Sequence, residues 1–257
     1  MRRESEPLVR RVLLNRAWLG GELWGYAPSD EIEALCFVGG NVVPVEADAA
    51  AIEAFGEVLR QQPRWAASLV GPTEAVLHLW RLVSPAWGPA REVRRSQPLL
   101  IADAAPRAAP DVHVRRSEPA DLDALFPASV AMFTEEVGVS PMGSDSGAAY
   151  RARLLEIIND GHSFARIEGG PGGREVLFKA EIGYATQAAC QVQGVWVPPE
   201  RRRQGLGVAG MAAVVHIARR DVAPVVSLYV NDYNEAARAV YERVGFRTVG
   251  TFATVLL

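Results

Sequence analysis

The hydrophobic and polar positions of this chain predict strands and helices that alternate in the same order in both halves. In the second half, apolar alternation predicts strands over 163–168, 176–186, 190–197 and 225–230, and helical spacing predicts helices over 205–219 and 234–244. The first half repeats the order hairpin, strand, helix, strand, helix and strand between residues 22 and 102. This alternation predicts a mixed α/β protein built from two similar halves.

A proline- and alanine-rich segment separates these halves. Residues 102–111 (ADAAPRAAPD) have neither a helical nor a strand period, which is typical of a linker. The sequence therefore predicts an N-terminal domain over 1–108 and a C-terminal domain over 111–257.

The junction between the third strand and the next helix of the second half carries the clearest chemical signal. An apolar strand over 192–197 runs into two prolines, three arginines and the glycines Gly205 and Gly207, which open a helix. A helix start has unpaired N–H groups and the positive end of its dipole, and glycines let an anion approach the main chain closely. The junction is therefore predicted to bind a pyrophosphate. The equivalent junction of the first half, 45–52 (VEADAAAI), is acidic and has no glycine, so it should repel one.

Overall composition excludes several other classes of site. The net charge of −3 gives no general reason to expect nucleic-acid binding. The two cysteines, Cys36 and Cys190, are far apart, and the four histidines show no ligand spacing, so neither a disulfide framework nor a metal site is expected. The first residues, MRRESEPLVRR, lack the apolar core of a signal peptide, and no apolar run is long enough to span a membrane. We expect a cytoplasmic protein.

Three segments of the second half together resemble the GCN5-related N-acetyltransferase (GNAT) superfamily over about 112–257. They are VWVPPERRRQGLG from Val195, VSLYVN from Val226 and NEAARAVYERVGF from Asn234. The whole chain is similar to two-lobed bacterial members whose N-terminal half is an uncharacterised GNAT-like domain. The resemblance implies an α/β (α+β) fold class with tandem GNAT-like lobes. Each lobe would be a mixed, mostly antiparallel sheet flanked by helices, with a splayed strand pair in the C-terminal lobe.

The same resemblance implies acetyl-CoA as co-substrate and no metal. The main chain of Val195, Trp196 and Val197 would contact the pantetheine arm like an added strand. The pyrophosphate would be held by Arg202, Arg203, Gln204, Gly205, Leu206 and Gly207, and Asn234 would reach the pantetheine or the phosphates.

Two residues are expected to act in catalysis. Tyr241 matches the family's tyrosine and would donate a hydrogen bond to the departing thiolate, although a tyrosine on an amphipathic helix is also a common core residue. Gln191 stands where some relatives carry a catalytic glutamate, so Glu181 is our candidate for the base, directly or through water. An equal alternative is that Glu181 is an exposed strand carboxylate, or a partner of a nearby arginine or of Lys179, the only lysine of the chain. Glu135, Glu136 and the terminal carboxylate of Leu257 are weaker candidates for the base.

The resemblance therefore implies an N-acetyltransferase that acts on a protein or small-molecule amine. The alternative is a non-catalytic acyl-CoA-binding sensor or scaffold, which the missing glutamate would favour. We expect neither nucleic acid nor membrane as a partner, and the sequence leaves a homodimer open.

Overall fold

A computed structural model describes residues 21–28, 31–143, 145–170 and 173–257 of the chain. The strands of this part are β1 (Glu22–Tyr26), β2 (Ala34–Val38), β3 (Asn41–Val45), β4 (Ser68–Pro72), β5 (Glu92–Ala102), β6 (Arg115–Arg116), β7 (Ser163–Gly170), β8 (Gly173–Ala185), β9 (Ala189–Trp196), β10 (Val225–Tyr229) and β11 (Arg247–Leu256). The helices are α1 (Ala49–Leu59), α2 (Thr73–Trp87), α3 (Leu122–Val137), α4 (Ala148–Asn159), α5 (Leu206–Asp221) and α6 (Glu235–Val244), with 3-10 turns at Pro119–Asp121 and Pro199–Arg201. None of these helices is long and apolar enough to cross a bilayer.

The chain packs as two compact units that are not continuous in sequence. Of the described residues, the first unit holds those between 21 and 101 together with 229–235 and 248–257, and the second holds those of 102–228 and 236–247. The final strand thus joins the first unit, although it follows the second in sequence. The division into domains 1–108 and 111–257 stays a prediction, and the first 20 residues of that N-terminal domain lie outside the described residues.

In the first unit the strand order is β1-β2-β3-β4-β11-β5. The pairs β1–β2 and β2–β3 are antiparallel, β3 and β4 are parallel, and β11 runs antiparallel to β4 with Val255 opposite Leu69. Helices α1 and α2 pack against each other. The core joins Val42 of β3, Ile52 of α1, Leu79 of α2 and Val255 of β11.

The second unit repeats this pattern of directions, with strand order β10-β9-β8-β7-β6. The pairs β7–β8 and β8–β9 are antiparallel, and β9 and β10 are parallel. In each unit the parallel pair is joined only over a few residues, 41–42 with 68–69 and 189–191 with 225–227. The predicted α/β class, with mixed and mostly antiparallel pairing flanked by helices, is confirmed.

Helices α3 and α5 lie on opposite faces of β8. A Cβ atom at Gly210 of α5 would come within 2.5 Å of the Phe178 ring, whereas Glu181 lines a narrow space with Leu125 and Ser129 of α3. Because neighbouring residues of a strand point to opposite faces, Lys179 and Glu181 share the α3 face and Phe178 the α5 face.

Helix α3 contains a proline, since it runs from Leu122 to Val137 with Pro127 inside it. A proline inside a helix costs about 3 kcal/mol because it removes one hydrogen bond. Leu125, Ala128 and Met132 are buried on both sides of Pro127, and their packing offsets this cost.

The glycine at 210 gives a test of how closely α5 packs on β8. Gly210→Ala should lower the free energy of unfolding by about 1–3 kcal/mol, because the added methyl would overlap the fully buried Phe178. Gly207→Ala in the same helix is the control, since its methyl would lie 3.5 Å from Val240, an ordinary contact. Urea unfolding followed by circular dichroism measures both. Equal changes in the two variants would contradict the close packing at Gly210.

Candidate functional site

Strands β9 and β10 separate after a short paired stretch. Their parallel pairing runs from Ala189 and Val225 to Gln191 and Ser227. At the end of this paired stretch, the Ser227 hydroxyl donates to the Cys190 carbonyl at 2.9 Å. In the described structure, residues 192–196 of β9 continue without a partner on β10. We call the gap beyond Gln191 and Ser227 the β9 opening.

A bulge at Gly194 changes the direction of β9 next to this opening. Lys179 of β8 lies opposite Trp196 and Glu181 opposite Gln193, so the two-residue step from 179 to 181 faces the three-residue step from 193 to 196. Gly194 has φ 61°, which a glycine adopts without strain. A Cβ atom there would also come within 3.3 Å of both Glu181 Oε2 and the Met132 methyl. Residues 194–197 after the bulge are half-buried.

The loop after β9 presents an uncapped helix start. Arg203 has φ 61° and Gly205 has φ 83°, and Gly205 is the residue before α5 with no side chain capping the helix. Nothing lies within 4 Å of where a Gly205 side chain would begin. By contrast, Asp48 caps α1 in the first unit and accepts from the Ala51 N–H at 2.9 Å. The N-terminus of α5 in the second unit therefore has no side-chain cap, whereas the N-terminus of α1 in the first unit is capped by a carboxylate.

The arginines of this loop are tied to carboxylates of neighbouring elements. Arg202 donates from Nη2 to Glu135 Oε2 at 2.7 Å and from Nε to the Val197 carbonyl at 3.1 Å. The Trp196 indole N–H also reaches Glu135, at 3.4 Å. The hydrogen bond from Arg202 holds the pKa of Glu135 below its usual range. Arg201 makes a two-pronged pair with Glu175, 3.0 Å for each bond.

Glu135 is the contact that sequence reasoning missed, since the sequence suggested it only as a weak base candidate. It is 67 residues from Arg202, and no local pattern signals a pair at that separation.

Tyr241 lies on α6 close to the start of α5. Its neighbour Val240 lies 3.5 Å from the Cβ position of Gly207. The Tyr241 residue is 7% exposed, and its ring packs on Phe246 at 5.7 Å between centroids. Burial, and to a smaller extent the negative charge of Glu136, raises the pKa of Tyr241 above its ordinary value. The hydroxyl therefore stays protonated at neutral pH and is able to donate a hydrogen bond.

Glu181 lies beside the bulge, but in a buried ion pair. Lys179 Nζ lies 2.6 Å from Glu181 Oε1, and the two residues are 1% and 5% exposed. Lys179 Nζ also lies 3.4 Å from the Gly194 carbonyl oxygen. The ion pair with Lys179, one of the alternatives that the sequence left open, is therefore present. It uses Oε1 of Glu181, and the second carboxylate oxygen, Oε2, does not bond to Lys179.

Asn234 is exposed just before α6, and its N–H donates to the Asn231 carbonyl at 3.0 Å. Both asparagines belong to the first compact unit, so the predicted contact of Asn234 with a cofactor stays a prediction. Among the described residues, no three His, Cys, Asp or Glu side chains lie close enough together to hold a metal ion.

Comparisons with known proteins relate parts of the chain to known families. Residues 163–246 match the model of the acetyltransferase (GNAT) family, and residues 21–125 match a domain of unknown function, DUF4081. A comparison with curated proteins finds no match.

Solved structures that share the fold include GCN5-related N-acetyltransferases from Kribbella flavida and Sphaerobacter thermophilus. The first is 16% identical with a TM-score of 0.59, over 99% of this chain and 94% of that chain. The second has the same identity and TM-score, over 100% and 94%. An acetyltransferase from the GNAT family from Colwellia psychrerythraea is 13% identical with a TM-score of 0.56, over 96% and 89%.

The buried pair makes a prediction about stability. Lys179→Met should lower the free energy of unfolding by about 3–5 kcal/mol, because it leaves the Glu181 carboxylate buried without its cation. The double variant Lys179→Met/Glu181→Leu should recover most of that loss, since apolar side chains of similar size replace both charges. Chemical unfolding of the three proteins measures this. A double variant as unstable as the single one would contradict the balance of charges described here.

Proposed function

Because residues 163–246 match the GNAT acetyltransferase family, we propose that the protein transfers an acetyl group from acetyl-CoA to an amine. The observation that carries the proposal is the β9 opening, where β9 and β10 separate after Gln191 and Ser227 directly before an uncapped helix start. An unpaired strand edge and a free helix N-terminus are the two main-chain features that an extended arm ending in a diphosphate requires.

The residues of the opening fit that cofactor. The main chain of Val195, Trp196 and Val197 is proposed to bind the pantetheine arm along β9. The diphosphate is proposed to lie on the segment Arg202–Gly207, where Gly205 offers open space and Arg202 a positive charge. The predicted contact of Asn234 remains part of this proposal.

The proposed reaction forms an N–C bond and breaks the C–S bond of the thioester. An alkylamine has a pKa of ~10.4, so freeing its lone pair at pH 7 costs about 4.6 kcal/mol, and a carboxylate or a water chain should take the proton. We assign that step to Glu181 through Oε2, which faces the Gly194 bulge. Tyr241 is assigned to donate a hydrogen bond to the departing thiolate, which then takes up a proton as the free thiol of CoA.

The finer points of the proposal are a cytoplasmic location and an acceptor that is either a protein or a small molecule. The competing function is an acyl-CoA sensor without turnover. Both functions predict that CoA raises the melting temperature, but only the enzyme releases CoA from acetyl-CoA when amines are added.

The first functional prediction concerns Tyr241. Tyr241→Phe should lower kcat about 100-fold with little change in the KM for acetyl-CoA, because a single donor to developing negative charge is lost. Release of CoA is followed with a thiol-reactive dye and a panel of alkylamines and peptides. The protein's own thiols should not interfere, since Cys36 and Cys190 are buried and burial raises the pKa of each to about 12. Tyr233→Phe, at an exposed tyrosine, is the control, and unchanged turnover of Tyr241→Phe would refute the assigned role.

The second functional prediction concerns Glu135. Its carboxylate pairs with Arg202 and competes with the diphosphate for that cation, so Glu135→Gln should tighten CoA binding. The expected gain is about 1.5- to 5-fold, which corresponds to the free energy of an exposed ion pair. Glu175→Gln is the matched control, because Glu175 pairs with Arg201, which lies outside the proposed diphosphate contacts. Isothermal titration calorimetry with CoA measures both. Weaker binding to Glu135→Gln would show that the carboxylate positions Arg202 rather than competing for it.

A further inference from the structure

The chain has one lysine among its 27 lysine and arginine residues, and that lysine is buried. Lys179 is 1% exposed in the middle of β8, where an ammonium ion is costly to hold without partners. The other 26 of these residues are arginines. Among the described residues, Lys179 is the one lysine or arginine in the buried class, which calls for a local reason.

The local reason is the geometry of the bulge. Lys179 Nζ lies between Oε1 of Glu181 on its own strand, at 2.6 Å, and the carbonyl oxygen of Gly194 on β9, at 3.4 Å. An ammonium group is compact and has three donors that it directs independently, so it fits two acceptors on different strands. The guanidinium of arginine is larger and planar and holds its donors in a fixed fork, so it suits two acceptors on different strands less well.

The Gly194 carbonyl is the point at which β9 changes direction. The register of β9 against β8 shifts by one residue between Gln193 and Trp196. The backbone angle at Gly194, with φ 61°, therefore determines the direction of the main chain through Val195 and Trp196. On the other side of the bulge, Met132 of α3 and Glu181 Oε2 close the space around Gly194. Lys179 and Glu181 thus both contact the bulge at which the half-buried β9 edge changes direction.

We infer that Lys179 is a positioning residue for the proposed reaction, which ties the Gly194 carbonyl to the Glu181 carboxylate and so sets the direction of Val195–Val197 at the β9 opening. The inference rests on the proposed function, because it takes the opening as the place where the cofactor's arm binds. It adds a residue that touches neither the cofactor nor the reacting atoms.

The first experiment separates positioning from stability. Lys179→Met/Glu181→Leu removes the buried charges together, so its melting temperature should stay close to that of the wild type. Its affinity for CoA, measured by calorimetry, should nevertheless fall at least about tenfold, because the Gly194 carbonyl has lost its donor. Arg166→Met/Asp111→Leu is the control, a partly buried ion pair of the same unit with 2.9 Å between Nη1 and Oδ2, in which Arg166 also pairs with Glu168. It should leave CoA affinity unchanged.

The second experiment uses the fact that there is a single lysine. Protein labelled with ¹³C at lysine Cε gives one lysine signal in a proton–carbon correlation spectrum, and Lys179→Arg assigns it by removing it. Titration with CoA should shift that signal, since cofactor binding along Val195–Val197 acts on the bulge that Lys179 holds. A purely structural lysine remote from the cofactor would not respond.

The outcomes are distinguishable. A stable double variant that binds CoA within twofold of the wild type overturns the inference, and so does a lysine signal that stays unmoved at saturating CoA. If the wild type itself shows no heat of binding with CoA, the proposed function fails and the inference falls with it. Tenfold weaker binding by the double variant with a shifted wild-type signal supports both.

Discussion

One constraint on the second unit is that strand β9 has a neighbouring strand on only one side over its last five residues. Main-chain N–H and C=O groups need hydrogen-bond partners, and strands in a sheet normally find them in their neighbours. Strand β9 loses its β10 partner after Gln191, although it continues for five more residues to Trp196. The proposed site uses this edge, which is half-buried and has no partner on β10.

Three structural features position the unpaired edge of β9. The Gly194 bulge turns it, the Lys179–Glu181 pair holds the turn from one face of β8, and Gly210 lets α5 pack closely on Phe178 from the other face. Since α5 begins directly after the loop that follows β9, the same close packing that stabilises the unit also fixes where the open helix end lies.

The described part of the first unit repeats the strand directions of the second but differs where its parallel strands separate and where α1 begins. Its parallel strands β3 and β4 also pair over only two residues, but Pro44 follows the paired stretch and has no N–H to offer. Asp48 fills the start of α1 with its own carboxylate. Two units with the same strand directions thus differ at single residues of the strand end and the helix start, and the proposed anion site of the second unit depends on those residues.

Much of this was readable from the sequence, because it depends on neighbours along the chain. The strands, the glycine-opened helix and the acidic junction of the first half are local patterns, and Lys179 and Glu181 share a face because they are two residues apart. The contacts that could not be predicted from the sequence join residues far apart along the chain. Nothing near residue 248 shows that β11 pairs with β4 of the first unit, and nothing near Arg202 indicates Glu135.

The ion pair of Arg202 with Glu135 shows why no single arginine should dominate the affinity for a diphosphate. An anion that takes Arg202 must first displace a carboxylate, and an exposed pair of this kind stabilises by only about 0.2–1 kcal/mol. Arg202 thus exchanges one anionic partner for another, so its net contribution to diphosphate binding is small. Contacts to helix-start amides contribute about 0.3–2 kcal/mol each, and those of α5 have no side-chain cap to displace. The main chain from Gly205 onward, rather than the arginine side chains that make the motif visible in the sequence, should therefore supply most of the binding.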